Sequence, residues 1–282
     1  MRTSFLVLVA VALVTVFFAA PGIAGVTDWG PGDTYKMHWP QLPDTTTLGL
    51  DVNCITNSTQ CSDCMLADDW ECSETGFVKE VHFWGSWMSD SVGTIDAFDI
   101  RIYENDNSGP FSKPGAQLWQ YTVSYVNPNV HARQLQTYTK NEGWYSPCGL
   151  LFRPANHRFY YQYNVTIPHE IWYTQVQGTI YWLSVRPIMH SGSQACWGWK
   201  TARRQDHFMD DAVYSCSGGP WLELKHPLDQ FSLDLAFVIT GGPQQYLLPG
   251  TPSLSTWGVL ILVLALIAVS IALLRKRIRV GA

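Results

Sequence analysis

The sequence predicts an all-β protein, an antiparallel β-sandwich or jelly roll with an apolar segment at each end of the chain. Three observations predict it. Apolar and polar residues alternate with period two through the middle of the chain, clusters of Gly, Pro and Asn separate the alternating runs, and no segment between the apolar ends carries a long helical stripe. Such half-buried strands with turn-rich joins bury their apolar faces by packing as two sheets.

The runs can be taken in order. "FDIRIYEND" sets Phe98, Ile100 and Ile102 against Asp99, Arg101 and Tyr103. "HRFYYQYNVTI" aligns Phe159, Tyr161, Tyr163, Val165 and Ile167 on one face, and "TIYWLSVRP" aligns Tyr181, Leu183 and Val185. "FSLDLAFVI" places Phe231, Leu233, Leu235, Phe237 and Ile239 opposite Ser232, Asp234 and Ala236. The turns between runs are "NDNSGP", "KPG", "NPN" and "SGG".

The ends imply export. Residues 1–24 resemble a signal peptide in physical terms: Arg2, a short apolar stretch, then small Gly22 and Ala24, with cleavage expected after Ala24. Residues 25–62, rich in Pro, Thr and Asn, read as an irregular arm over the sandwich, and residues 63–241 as the sandwich itself. A linker follows at 242–258. The run from Val259 to Leu274 has Ser270 as its sole polar residue and, with Trp257 and Gly258, is about long enough to span a hydrocarbon core. The basic tail at 275–282 carries Arg275, Lys276, Arg277 and Arg279, which the positive-inside rule keeps on the cytoplasmic side of the membrane. Arg2 and those four account for five of the 18 Lys and Arg, leaving 13 against all 23 Asp and Glu outside. So acidic an exterior disfavours nucleic acid as a partner.

Seven cysteines in an exported chain read first as disulfides. The expected pairs are Cys196–Cys216 and Cys64–Cys72, with at least one thiol left over. Cys61-x-x-Cys64 lacks the second ligand pair that zinc requires. Acidic pairs sit where strands should begin: Asp68 and Asp69 in "LADDWEC", Asp210 and Asp211 in "MDDAVY", with Asp234 on the outer face of the last strand. If first and last strands are neighbours these five converge, and hard calcium takes such carboxylate oxygens. No cofactor is required, and a structural calcium is the one candidate. "ENDNSG" fails as an EF-hand loop because Gly115 stands where the bidentate Glu is needed.

Thirteen Trp raise the question of a glycan-binding face. Trp84 and Trp87 in "HFWGSWM" and Trp197 and Trp199 in "CWGWK" are the residues for it, a Trp-rich core being the competing use of such large rings. Catalytic motifs are missing: no G-x-S-x-G, no H-E-x-x-H and no phosphate-cradling Gly loop. The expected protein is not an enzyme. Its rival is a glycosidase-like enzyme with Asp69 and Asp211 as the facing carboxylates.

The terminal pattern "PSLSTWG", apolar helix, "LRKRIR" resembles the IPTL-CTERM sorting signal, a relative of the PEP-CTERM signals of Gram-negative bacteria. Pro252, Leu254, Ser255, Trp257 and Gly258 match the family pattern, while Thr251, Ser253 and Thr256 depart from it; Arg275, Lys276 and Arg277 supply the basic end. The resemblance implies an exosortase-like membrane protease as partner, an inner-membrane stage, and release or transfer to the cell surface or matrix. The body is similar to an uncharacterised bacterial domain that precedes such tails, through "LADDWEC", "VHFWGSWMSD", "FDIRIYEND", "GAQLWQ", "EGWYSPC", "YWLSVRP", "WGWKT", "DDAVY" and "SLDLAFVI". The expectation is therefore an exported, non-enzymatic surface or matrix protein that binds polysaccharide or a surface partner. Its alternatives are the carbohydrate-active enzyme and a purely structural coat.

Overall fold

Where the alternation is regular the backbone is extended, and the apolar half of each run turns to a shared core. The computed structural model describes residues 28–56, 58–136 and 141–241. The signal segment, the sorting motif from Pro252 to Gly258, the apolar run at 259–274 and the basic tail lie outside the described residues. Among the described residues no helix is long and apolar enough to cross a membrane.

The first strands are β1 (Leu50–Asn53), β2 (Cys64–Glu71), β3 (Gly76–Val78), β4 (Glu80–Trp87), β5 (Ile95–Asp106) and β6 (Lys113–Ser124). Then come β7 (Val130–Gln136), β8 (Glu142–Ser146), β9 (Leu151–His157), β10 (Phe159–Thr166) and β11 (Tyr173–Gln175). The last are β12 (Ile180–Met189), β13 (Trp197–Lys200), β14 (Val213–Cys216), β15 (Leu222–Glu223) and β16 (Phe237–Thr240). An eight-stranded sheet runs β7-β10-β4-β13-β1-β8-β9, with β16 also paired to β4. A six-stranded sheet runs β15-β14-β2-β12-β5-β6, and β11 and β3 form a small ribbon.

The two large sheets pack face to face as a β-sandwich. Rings from both sides interlock in the core: Phe98 of β5 lies 5.1 Å from Phe83 of β4, 5.2 Å from Tyr163 of β10 and 6.2 Å from Trp197 of β13. Phe98, Ile100 and Ile102, and likewise Tyr181, Leu183 and Val185, are all in this core, as their alternation predicts. "NDNSGP" is the hairpin between β5 and β6.

Two expectations change. Residues 25–62 are not wholly an arm: Leu50–Asn53 is β1, inserted between β13 and β8. Its run of four residues is too short to register as a period. Of "FSLDLAFVI", Phe237 onward is strand, and Leu233 to Ile239 are all buried, so one face of the alternation is not turned to water. The arm does cover the sheet elsewhere, where Trp29 packs edge-on against Trp84 at 6.3 Å and its carbonyl accepts Gln162 Nε2–H at 2.8 Å.

The larger sheet also curls. The consecutive strands β9 and β10 stand at the two ends of the path β10-β4-β13-β1-β8-β9, and Arg158 joins them. The turn after β4 fastens the gap: Asp90 carboxylate oxygens accept the Arg158 and Phe159 amides, and Asn156 Oδ1 accepts the Ser89 amide at 2.7 Å. The face of β1 and β13 turned away from the sandwich core is thus enclosed by its own sheet.

Candidate functional site

The expected acids do meet in part. β14 begins at Val213, opposite Ala67, so Asp68 and Asp69 of β2 lie just past its end, where residues 233–235 cross. Asp68 Oδ2 accepts the Leu235 amide at 2.6 Å and Gln41 Nε2–H at 3.1 Å, and its Oδ1 accepts the Asp69 amide at 2.9 Å. Asp234 Oδ2 accepts the Phe208 amide at 2.7 Å and lies 2.9 Å from His207 Nδ1. Asp234 is buried rather than on an outer face, a correction caused by the loop at 204–212 folding over it. Asp69 is 1% exposed. Asp69 Oδ1, Asp234 Oδ1 and Gln41 Oε1 are buried without a hydrogen-bond partner.

Burial, then the charges of Asp234 and Asp69, push the Asp68 carboxyl well above its usual range. Burial, then Asp234 and Asp210, does the same to Asp69. Burial raises Asp234 against the pull of His207, and burial raises Asp211 to about 6. Asp210 accepts the Ser112 amide at 3.1 Å, and Asp211 turns toward Lys225 Nζ at 3.8 Å. Asp68, Asp69 and Asp234 therefore form the cluster, while Asp210 and Asp211 stand at its rim. A small cavity of about 150 Å³ reaches Asp234 and His207, lined also by Asp44, Thr201 and Arg203.

The four Trp proposed for glycan do not form a binding face. Trp197 and Trp199 are 0% exposed and Trp84 and Trp87 are 4% exposed. The shared face of Trp197 and Trp199 is the sandwich interior, where such rings remove most area from water. Asp69 and Asp211 do not face each other across an open cleft, since both are buried.

The expected disulfides are also corrected. Cys61 pairs with Cys196 (Cα–Cα 5.9 Å) and Cys148 with Cys216 (Cα–Cα 5.5 Å). Cys64 begins β2 and Cys72 follows its far end, so an extended strand holds them too far apart to bond. Cys196 and Cys216 are each taken by another partner. Cys54, Cys64 and Cys72 remain as buried thiols, and burial pushes Cys54 up to about 12.

Sequence reasoning missed a second cluster inside the curled sheet. Lys200 of β13 is the cross-strand partner of Asp51 on β1, and Glu142 of the neighbouring β8 is the partner of His157 on β9. All four side chains are 0% exposed. Lys200 Nζ touches Glu142 Oε2 and lies 3.2 Å from Asp51 Oδ2. His157 Nε2 lies 2.7 Å from Asp51 Oδ2 and 3.7 Å from Glu142 Oε2. Burial pulls the Lys200 ammonium down toward the neutral amine, against Asp51. Burial also lifts Asp51, but Lys200 and His157 together hold it below its usual range. Trp144 lies over Gly198 on this face; a Cβ there would meet its ring at 2.9 Å, so only glycine lets the indole close the site.

Asp51, Glu142 and His157 each offer one ligand atom within 4.8 Å of the others, the one such group among the described residues. The Lys200 ammonium stands at the same carboxylates, so the cluster already contains its cation. The signal that could have found it is alternation: in "WGWK" two inward Trp put Lys200 on the opposite face, and Leu50 and Val52 do the same for Asp51.

These features define a class: a two-sheet β-sandwich protein stapled by disulfides, with two clusters of charge shut inside. Residues 37–240, well over half of the chain, match a family described as a domain of unknown function, DUF7901, and the chain belongs to that family. Neither a curated protein nor a solved structure matches it.

Proposed function

We propose that this is an exported, non-enzymatic envelope protein of a Gram-negative bacterium, a stiff β-sandwich module routed by its IPTL-CTERM-like tail. The observation that carries the reading is the pair of disulfides Cys61–Cys196 and Cys148–Cys216, which join segments 135 and 68 residues apart. Bonds of this kind persist in oxidising compartments. The signal-like start, the acidic exterior and the Pro252–Gly258 motif followed by Arg275, Lys276 and Arg277 support the same route through an exosortase-like protease. Mass spectrometry of protein from its native cells, alkylated before reduction, tests it. Two intact disulfides on a chain starting near Gly25 are expected; seven alkylated thiols on a chain starting at Met1 would overturn it.

A structural calcium at Asp68, Asp69 and Asp234 belongs to this reading. What favours it over an ordinary acidic patch is the Gln41 amide at the same spot, wholly buried, with Oε1 lacking a partner. Oxygen donors of mixed charge are what calcium takes.

A second observation favours polysaccharide as the ligand, at a place other than the four buried Trp. Tyr35 and Trp39, each 42% exposed, line an open groove of about 660 Å³ with Asp33, Arg203 and Gln205. Trp39 Nε1–H donates to the Asp206 carbonyl at 2.9 Å, and Arg203 grips the Asp206 carboxylate at 2.7 and 3.0 Å. A half-exposed ring fixed by its indole N–H suits stacking on a sugar. On a glycan array, Trp39→Ala should lose the signal of the parent protein; unchanged binding would remove the groove from the reading.

A further inference from the structure

The Lys200 cluster is more than a buried ion pair. We propose that Lys200 and Glu142 condense into an intramolecular amide, a covalent cross-link between β13 and β8 that passes over β1.

The juxtaposition meets each requirement of that reaction. Nucleophile and acceptor are in contact, Lys200 Nζ against Glu142 Oε2, on strands that both pair with β1 and not with each other. Proximity of this kind converts a bimolecular step into a unimolecular one. The ammonium is favoured least where water is absent, and here all four titratable side chains are fully buried. A proton carrier is in place: Asp51 Oδ2 lies 3.2 Å from Nζ and 2.7 Å from His157 Nε2, which in turn faces Glu142 Oε2 at 3.7 Å. A Glu142 oxygen that can leave as water is not otherwise engaged, since Oε1 has no hydrogen-bond partner.

The chemistry balances without any added reactant. Lys200 Nζ passes a proton to the Glu142 carboxylate it touches, giving a neutral amine beside a neutral carboxyl. The Nζ lone pair attacks Cδ and forms the C–N bond. The Nζ proton returns through Asp51 to one Glu142 oxygen, which departs as water with its bonding electron pair. Ammonium and carboxylate become amide and water, with no change in oxidation state. Removing two charges from a dry interior also ends the desolvation cost of holding them there. Glu142 is the acceptor and Asp51 the carrier because Asp51 Oδ2 is held between Lys200 and His157.

Intact-mass measurement of the folded, purified chain decides it, with both disulfides reduced after unfolding. The expected mass is lower than the sequence requires by one water, and proteolysis should yield a branched peptide joining Lys200 to Glu142. A full-mass chain would overturn the proposal, and a branch at Asp51 would overturn the choice of acceptor. Lys200→Arg should have full mass. Asp51→Asn, shown to be folded by its intact disulfides and cooperative melting, should cross-link at least tenfold more slowly. Cross-linking at the parent rate would remove Asp51 from the proton path.

Discussion

Lys200 and Asp51 face each other as cross-strand partners on β13 and β1, with Nζ 3.2 Å from Oδ2 and neither side chain exposed. Until Lys200 is joined to Glu142 this is a charged pair, and without Asp51 the joining is slow; such a pair is costly to break from one side, because the remaining group keeps its burial and loses its partner. Asp51→Ala should therefore destabilise the fold by about 3–5 kcal/mol. Asp51→Asn, which keeps the shape and one acceptor oxygen, should cost less. Urea unfolding of the two variants beside the parent measures the difference, and equal costs would mean that Asp51 acts through its charge alone and that shape contributes nothing.

The disulfides make a separate prediction. Cys61–Cys196 closes the longer loop, and Cys148–Cys216 ties the β8–β9 turn to the end of β14. Chain-entropy reasoning for a loop of 68 residues gives about 4 kcal/mol for the second bond. Cys148→Ser should lower the unfolding free energy by roughly that amount. A thiol reagent applied without reduction should label Cys54, Cys64 and Cys72 only after the chain is unfolded, since all three are buried.

How far the sequence could be read depended on strand length and on what lies behind each face. β5, β10 and β12 are long, with one face in the sandwich core, so period two showed in Phe98, Tyr163 and Leu183 and their neighbours. β1 has four residues, and its second face is enclosed by the curl of the sheet, so Asp51 looked like part of a polar arm. Trp197 and Trp199 were placed correctly on one face, but alternation does not say which side is wet when both are covered. Asp68 and Asp234 were brought together by supposing that first and last strands approach each other. The chain does so through the crossing at Leu235. Disulfide partners follow three-dimensional neighbours, which is why spacing misled at Cys64 and Cys72.

His38 supplies a pH dependence. Its ring stacks on Phe208 at 3.7 Å, its Nδ1 accepts the Glu71 amide at 3.2 Å, and burial holds its pKa down at about 3 against an ordinary 6.5. The unfolded chain thus binds a proton that the folded chain refuses. Stability from this group is complete above about pH 6.5 and is lost as the pH falls from there toward 3. His38→Gln keeps an acceptor for the Glu71 amide and cannot titrate, so its melting temperature should fall less steeply over that range. Parallel acid limbs for parent and variant would count against the assignment.

Cation removal should reveal the other cluster, and it should do so in a pH-dependent way. Without a cation, burial and mutual repulsion keep Asp68, Asp69 and Asp234 protonated at pH values where the unfolded chain has released those protons, and Asp211 follows at about 6. At this cluster the folded state then binds more protons than the unfolded one, so the cluster's contribution to the cation-free protein is greatest in acid and is lost as the pH rises. Calcium replaces those protons and flattens the slope, stabilising the fold by mass action. A chelator should therefore lower the melting temperature more at mildly alkaline than at mildly acidic pH, and calcium should restore it. The double variant Asp69→Asn, Asp234→Asn should melt alike with and without chelator. If chelator and calcium leave the parent's melting temperature unchanged at both pH values, the cluster holds protons and not calcium.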